Sequence, residues 1–243
     1  MIIKHFYSFN IDINKKNEKL NAQDWDRLRE SEDTDFGIET SKNSYISNCK
    51  NKKTYERYAK RICELYGNDT LHIISLGCGK GILEWHIKNL CPEIYITATD
   101  YGEGTVNRLR DVLDVDIIKR FDIFNDSFDK LSIKDKDNIY LFCRVSTEFS
   151  KKQWIKILKK MNEQGVKKII FIPTEEANLK NAFWEKYWFF MNILSGRKNA
   201  FAGWMYSRKA FEKIFQKGGY KVARRDNVTE DVIIELASNT RED

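Results

Sequence analysis

Short apolar runs alternate with amphipathic stretches along most of the chain from Leu71 onward. The runs with strand character are LHIISL, IYITATD, VDIIKRF, NIYLFC and VKKIIFI, and the stretches with helical periodicity between them are GILEWHIKNL, TVNRLRDVL and KQWIKILKKM. Apolar strands that alternate with helices of about ten residues are typical of βαβ units, which form a parallel sheet covered on both faces. The pattern therefore predicts an α/β fold with a doubly wound sheet.

The pattern changes near the end of the chain. YKVARRD and DVIIELAS are two strand-like runs separated by a short polar turn. A connection this short joins antiparallel neighbours, because a parallel crossover needs about a dozen residues or more. We therefore expect an antiparallel hairpin at one edge of the sheet.

The first 66 residues carry many charges and few β-branched runs. Two segments in this part, 21–30 and 51–66, have helical periodicity. We interpret residues 1–66 as an N-terminal helical cap that would close as a lid over a site in the main domain, residues 67–243. The aromatic residues that such a lid would bring to the site are Trp25, Phe36 and Tyr45.

The composition is that of one large globular domain. The chain has 243 residues, of which 42% are hydrophobic and 32% charged, so it can bury a substantial core beneath a solvated surface. No run approaches the roughly 20 apolar residues that a membrane span needs, and the N-terminus lacks the pattern of a signal peptide. We therefore expect a cytoplasmic protein.

The charged residues and the cysteines argue against several classes of site. The net charge is +6, but both signs alternate along most of the chain. Such mixing is typical of a solvated surface and does not favour a nucleic-acid partner. The five cysteines are scattered without a CxxC pair, and they accompany three histidines, so neither a disulfide framework nor a metal site is predicted.

The first strand-like run leads directly into a glycine-rich segment. Residues 77–81 read GCGKG, and a helical stretch follows before Pro92. Glycines at a strand-to-helix junction permit positive φ and let the backbone approach a ligand; the other interpretation is a tight turn with no ligand. The spacing is GxGxG and differs from the dinucleotide fingerprint GxGxxG, because Ile82 stands where the third glycine would lie, and the Walker A pattern is also unmatched.

In this segment the chain resembles the class I S-adenosylmethionine-dependent methyltransferases, whose first motif has this form. The resemblance covers roughly residues 70–236 and implies a seven-stranded, mostly parallel Rossmann-like sheet, with S-adenosylmethionine as cofactor and S-adenosylhomocysteine as product. It places the methionine portion of the cofactor over Gly77, Cys78, Gly79 and Gly81. It also places Ser75 where the family often has an acid, so the hydroxyl would bind the amino group or a bridging water without a negative charge.

Two aspartates match the family's nucleotide-binding steps. Asp100 lies 19 residues beyond the last glycine of the turn. The resemblance implies that it accepts the ribose hydroxyls while Tyr101 covers the adenine. Asp122 would accept the adenine amino group, with the backbone of Ile123 or Phe124 against the ring edge. The alternative for both aspartates is an ordinary place in a loop.

The segment after NIYLFC would pass between the cofactor and the acceptor. The resemblance places Cys143 and Arg144 next to the cofactor and Glu148 on the acceptor side, as the candidate catalytic residue; Glu148 could equally cap the following helix. No [DN]PP[YF] tetrapeptide follows the strand, which argues against methylation of the adenine amino group. No Pro-Cys nucleophile is present, which argues against methylation of pyrimidine C5.

The segment 175–206 is long and rich in aromatic residues, and we expect a helical insertion there. Its apolar surface is wider than one stripe, so it would pack within the chain, form a homodimer interface or line an acceptor pocket. The residues predicted to contact the acceptor are Tyr187, Trp204, Tyr206 and Arg208. Arg208, with Arg197 and Lys209, would suit an anionic acceptor such as a phosphorylated or acidic sugar.

These features together predict a methyltransferase that uses S-adenosylmethionine and acts on an oxygen or nitrogen atom of a small-molecule or carbohydrate-like acceptor, including one related to surface glycans. One alternative is an RNA methyltransferase that uses the net positive charge. The other is a non-catalytic module that binds adenosylmethionine, for which the serine at position 75 is the only support in the sequence.

Overall fold

A computed structural model describes residues 1–8, 21, 23–25, 41–67, 71–133, 137–196, 199–229 and 231–239. The strands in these ranges are β1 (Ile2–Ser8), β2 (Leu71–Leu76), β3 (Tyr95–Asp100), β4 (Ile117–Arg120), β5 (Asp137–Cys143), β6 (Lys168–Ile172), β7 (Asn199–Tyr206), β8 (Tyr220–Val228) and β9 (Asp231–Ser238). The helices are α1 (Lys42–Asn51), α2 (Lys53–Tyr66), α3 (Ile82–Leu90), α4 (Glu103–Val112), α5 (Lys151–Glu163), α6 (Leu179–Leu194) and α7 (Arg208–Lys217), with short 3-10 helices at Phe128–Lys130 and Ser146–Glu148.

Seven of the strands form one sheet in the order β4-β3-β2-β5-β6-β9-β8. Strands β2 to β6 are parallel to one another, whereas β9 is antiparallel to both β6 and β8. The predicted doubly wound sheet with an antiparallel hairpin at one edge is therefore confirmed. The strand order reverses between β2 and β5, and the carboxyl ends of strands at such a reversal open a crevice in which ligands bind.

Apolar side chains alternate between the two faces of the sheet and meet helices on both sides. On one face, Ile74 packs in a cluster with Trp154 of α5 and Phe211 of α7. On the other face, Ile73 packs in a cluster with Ile62 of α2. Ile73 and Ile74 are both fully buried, and each such burial stabilises the fold by about 1.5–3 kcal/mol.

The segment before the sheet contains the helix that its pattern predicts at 51–66. In the structure this helix is α2, and its buried Tyr58 belongs to the same cluster as Ile87 of α3. Helix α1 precedes it, and the Tyr45 hydroxyl donates a hydrogen bond to the Gly81 carbonyl at 3.3 Å. Both helices therefore pack on the main domain next to the glycine turn.

Parts of the predicted N-terminal cap lie outside the described residues, among them Phe36 and residues 26–30. Trp25 is described and is partly buried. Residues 2–8 differ from the prediction, because they form β1 and pair antiparallel with β7, from Ile2 opposite Tyr206 to Ser8 opposite Asn199. The insertion predicted at 175–206 is accordingly helical only in α6, and its last part is a strand.

Candidate active site

The glycine turn connects β2 to α3 at the carboxyl end of a central strand. Its glycines all have positive φ, 72° at Gly77, 59° at Gly79 and 66° at Gly81, which other residues rarely adopt. The amides of Gly77 and Cys78 both donate to the Thr99 carbonyl at 2.9 Å. These bonds fasten the turn to the end of β3, so that the two strand ends form one site.

Asp100, the last residue of β3, holds the same turn from the side. It is 7% exposed, and its carboxylate accepts hydrogen bonds from the amides of Gly79 and Gly102, each at 3.0 Å. Gly102 precedes α4, so one carboxylate fixes both the turn and the start of that helix. A carboxylate oxygen has more than one acceptor position, which means that Asp100 can keep these bonds and also accept a ribose hydroxyl.

Tyr101 and Asp122 lie just beyond the ends of β3 and β4. The Tyr101 side chain is half exposed, and the Arg120 guanidinium lies 5.3 Å from its ring centroid. Asp122 accepts hydrogen bonds from the Phe124 amide at 2.9 Å and from the Asn125 side chain at 2.8 Å, so it helps to turn the chain after β4. The apolar residues next to it, both partly buried, are Ile123 and Phe124.

Ser75 and Glu84 form a hydrogen-bonded pair at the two ends of the glycine turn. The Ser75 hydroxyl donates to the Glu84 carboxylate, and each residue is 1% exposed. Burial raises the pKa of Glu84 to about 7. Sequence reasoning missed Glu84, although a carboxylate in the apolar stretch ILEWHI was a signal that could have indicated it.

Cys143 and Arg144 follow at the end of β5. Burial, and secondarily the nearby Glu84, raises the pKa of the Cys143 thiol above its usual range, so the thiol stays protonated and is a poor nucleophile. Arg144 has a φ of 57°, a strained conformation that costs on the order of 1–3 kcal/mol in a residue other than glycine. Its amide donates to the Ile172 carbonyl and its carbonyl accepts from the Thr174 hydroxyl, both at 2.8 Å.

Glu148 ends the short helix Ser146–Glu148 and is partly buried. The N-cap of α5 is formed by another residue, because Ser150 and Gln153 make a reciprocal capping box at that helix start. The capping role that the sequence left open for Glu148 is therefore taken by Ser150. Glu148 lies five residues after the end of β5 at Cys143, in the segment that is predicted to pass between the cofactor and the acceptor.

Strand β7 covers this short helix. Gly203 has a φ of 119°, and a Cβ on it would overlap the carbonyl oxygen of Thr147, so the two backbones are in direct contact. Tyr206 is fully buried, and its hydroxyl donates to the Phe149 carbonyl at 2.8 Å. This corrects the predicted contact of Tyr206 with an acceptor, because the protein encloses both its ring and its hydroxyl.

The other residues predicted to contact the acceptor have different surroundings. Trp204 is partly buried, with its ring centroid 5.0 Å from that of Phe201. Tyr187 is 41% exposed on α6. Arg208 begins α7, and its Nε donates to the Glu212 carboxylate at 3.0 Å. Arg197, proposed with it, lies outside the described residues, and within the described ranges no hydrogen bond, ion pair or ring contact joins Tyr187, Trp204 and Arg208 to one another.

Sequence reasoning also missed a histidine–carboxylate pair between β1 and α6. His5 Nδ1 lies 2.7 Å from Glu185 Oε1, and the Phe6 amide donates to the other carboxylate oxygen at 3.4 Å. Both side chains are less than one fifth exposed, at 15% and 19%. Burial raises the pKa of Glu175, and the charges that act on it include those of His5, Glu185 and Arg144. These groups therefore lie close enough to Glu175, which follows β6, for their charges to act on it.

Other kinds of site find no support in the described ranges. No group of three or more His, Cys, Asp or Glu side chains there could hold a metal ion. No disulfide joins any of the five cysteines, all of which lie in these ranges. No helix in the part of the chain that the structure describes is long and apolar enough to cross a membrane.

No protein-family model matches the sequence, and no curated protein is significantly similar to it. Solved structures do resemble the fold. Human N-acetylserotonin methyltransferase, in complex with S-adenosylmethionine, has a TM-score of 0.57 and 13% identity over 82% of this chain and 57% of its own. Magnesium protoporphyrin IX methyltransferase from Synechocystis PCC 6803, with bound S-adenosylhomocysteine, has a TM-score of 0.60 and 14% identity over 88% of this chain and 92% of its own.

A third similar structure is the N,N-8-amino-8-demethyl-D-riboflavin dimethyltransferase from Streptomyces davawensis. Its TM-score is 0.54, with 10% identity over 81% of this chain and 57% of its own. The chain thus spans well under two thirds of the human and Streptomyces proteins and most of the Synechocystis one. With the strand order and the glycine turn described above, the likeness shows that this chain has the fold of the class I S-adenosylmethionine-dependent methyltransferases.

Proposed function

We propose that this protein is an S-adenosylmethionine-dependent methyltransferase that acts on an oxygen or nitrogen atom of a small-molecule acceptor. The observation that carries the proposal is the meeting of the glycine turn with the Asp100 carboxylate at the point where the strand order reverses. A glycine turn that lets a ligand approach the backbone closely, with a carboxylate beside it, suits a ligand that combines an amino acid with a nucleoside. Two proteins of the same fold were solved with the two forms of that cofactor.

The proposed cofactor contacts follow the strand ends. The glycine turn would hold the methionine portion, Asp100 the ribose hydroxyls and Tyr101 one face of the adenine. Asp122, with the backbone of Ile123 or Phe124, would meet the adenine edge. The residues proposed next to the sulfonium are Cys143 and Arg144, whose strained backbone is fixed by two hydrogen bonds.

The bound cofactor supplies an electrophilic methyl group on a sulfonium. Transfer is an in-line displacement: the acceptor atom forms the new bond to the methyl carbon, and the carbon–sulfur bond breaks to leave a thioether. The chain's part is to position the two partners and exclude water. Where the acceptor must lose a proton, Glu148 and the His5–Glu185 pair are the candidate bases.

The acceptor class is proposed from the similar structures and from the charges. The similar proteins are named for N-acetylserotonin, magnesium protoporphyrin IX and a riboflavin derivative, all of them small molecules. A carbohydrate-like or anionic acceptor would be favoured by Arg208 and Lys209. The ion pair of Arg208 with Glu212 offsets part of that charge, so we place the small-molecule class before the anionic one.

We further propose that α6 forms a homodimer interface. None of its residues is buried. Its exposed large apolar side chains are Leu179, Phe183, Trp184, Tyr187, Trp188, Phe190, Met191, Ile193 and Leu194. Together they offer on the order of 800 Å², which is about what each partner of a stable complex buries. A second copy of the chain would cover this surface with an identical one.

Calorimetric titration with S-adenosylhomocysteine tests the proposed cofactor site. We expect binding of this ligand and none of NAD. Asp100→Ala should weaken the binding of S-adenosylhomocysteine by about tenfold or more, because a buried polar contact is lost. Asp111→Ala is the matched control, because Asp111 is an exposed aspartate of α4. Equal affinities for the two variants would refute the role of Asp100, and no binding to the wild type would refute the proposed function.

A further inference from the structure

Glu84 is a buried acid that the contacts of the ligand-free chain do not neutralise. Its carboxylate accepts a hydrogen bond from Ser75 and is affected by the charge of Asp100. No lysine, arginine or histidine among the described residues forms an ion pair with it. An isolated carboxylate in a protein interior is unfavourable, so it either takes up a proton or needs a positive charge nearby.

The groups that surround Glu84 add no positive charge of their own. Asp100 and Cys143 lie close enough to Glu84 for their charges to interact with it. The same holds for Tyr45 of α1 and Tyr55 of α2. Arg144 is coupled to Cys143 and Tyr55, whereas it is not among the charges that act on Glu84. The charge that acts on Glu84 is therefore the negative one of Asp100, and a cation beside the pair would be favourable.

The position of the pair indicates which cation that is. Ser75 lies two residues before the turn and Glu84 three residues after it, so their hydrogen bond closes the loop that would hold the methionine portion of the cofactor. A serine hydroxyl that donates to a carboxylate becomes a better acceptor for a second donor. The ammonium group of the amino-acid portion is such a donor.

We infer that Glu84 acts through Ser75 as the acid that holds the cofactor's ammonium group, and that its carboxyl gives a proton to solvent when the cofactor binds. The inference rests on the proposed function. The resemblance leads one to expect an acid at the position of Ser75 on β2, and we assign that acid's role to Glu84 on α3. Glu84 is a positioning residue, because Ser75 stands between it and the ligand.

Two ligands separate this role from a general effect on the site. S-Adenosylhomocysteine carries the ammonium group, whereas 5′-methylthioadenosine has the same nucleoside without the amino acid. For the wild type, we expect the affinity for S-adenosylhomocysteine to rise about fivefold between about pH 5.5 and pH 7.5, with protons released in calorimetry at the lower pH. The affinity for 5′-methylthioadenosine should stay constant within about twofold over the same interval.

Glu84→Gln should lower the affinity for S-adenosylhomocysteine by about tenfold at pH 7.5 and remove both its pH dependence and the proton release. It should leave 5′-methylthioadenosine binding within about twofold of the wild type. Adding Ser75→Asp to this variant should restore the lost affinity, because it returns a carboxylate to the end of β2. Should Glu84→Gln fail to fold, Ser75→Ala is the second variant, and the ratio of the two affinities should fall in the same way.

Two results would overturn the inference. An equal loss for both ligands would give Glu84 a purely structural role. An unchanged affinity for S-adenosylhomocysteine in Glu84→Gln, or in Ser75→Ala if the first variant does not fold, would show that the carboxylate is not used. Absence of binding of either ligand to the wild type would instead overturn the proposed function, so the two failures are distinguishable.

Discussion

Replacing Gly203 with alanine tests the contact between β7 and the segment that follows β5. The residue has a φ of 119°, which a residue with a Cβ adopts only at a cost of about 1–3 kcal/mol. The new methyl group would also overlap the Thr147 carbonyl, and a backbone atom cannot move aside as a flexible side chain end can. Forcing the backbones apart adds about 1–3 kcal/mol. The expected loss in free energy of unfolding is therefore about 2–6 kcal/mol.

Gly165→Ala is the matched control. Gly165 also has a positive φ, 77°, but a Cβ there would meet nothing within 4 Å, so only the conformational cost of about 1–2 kcal/mol applies. Urea unfolding followed by circular dichroism would give the two free energies, provided that the slope with denaturant is unchanged. Equal destabilisation by Gly203→Ala and Gly165→Ala would refute the close approach. In that case β7 would not be held against the site.

Three further predictions follow from buried, exposed and hydrogen-bonded groups. Glu84→Gln should raise the free energy of unfolding of the ligand-free protein by about 1–3 kcal/mol at pH 8. The sign follows because burial raises the pKa of Glu84 to about 7 in the folded chain. As the pH rises from about 4.5 to 7, the Glu84 carboxyl loses its proton in the unfolded chain before it does so in the folded chain. This difference lowers the free energy of unfolding. Urea unfolding should show that Glu84→Gln raises the free energy of unfolding less at pH 5 than at pH 8. An increase of the same size at both pH values would refute the raised pKa of Glu84. Trp188→Glu should convert a dimer to a monomer in size-exclusion chromatography with light scattering, whereas Leu90→Glu, at another exposed apolar position, should not. His5→Asn should lower kcat, with little change in KM for the acceptor, if the His5–Glu185 pair takes the acceptor's proton; an unchanged kcat would leave Glu148 as the base.

The parts of the fold that depend on local pattern could be predicted from the sequence. The βαβ repeat follows from apolar runs that alternate with helical periodicity, and the final hairpin follows from a connection too short for a crossover. The glycine turn could be located because Gly77, Gly79 and Gly81 stand between a strand and a helix, and all three have the positive φ that this junction requires.

The missed features depend on contacts between distant parts of the chain. β1 pairs with β7 across roughly 200 residues, and neither segment shows a clean alternation of apolar and polar positions. The His5–Glu185 pair forms only because of that pairing. An aromatic residue such as Tyr206 can lie in a core as well as in a pocket. Its burial and the hydrogen bond from its hydroxyl to the Phe149 carbonyl show that it lies in the core. In the sequence, Glu84 cannot be distinguished from an exposed helix carboxylate, and only the structure shows that it is buried.

The pairing of β1 with β7 also bears on how the protein is made. During synthesis at about 5–20 residues per second, β1 leaves the ribosome roughly 10–40 s before its partner strand exists. An unpaired strand is open to wrong pairing for all of that time. Strands β2 to β6 emerge earlier than β7, so the parallel part of the sheet can form before β1 has its partner strand. The layer formed by β1 and β7, which contacts Thr147, is therefore among the last parts of the fold to be assembled.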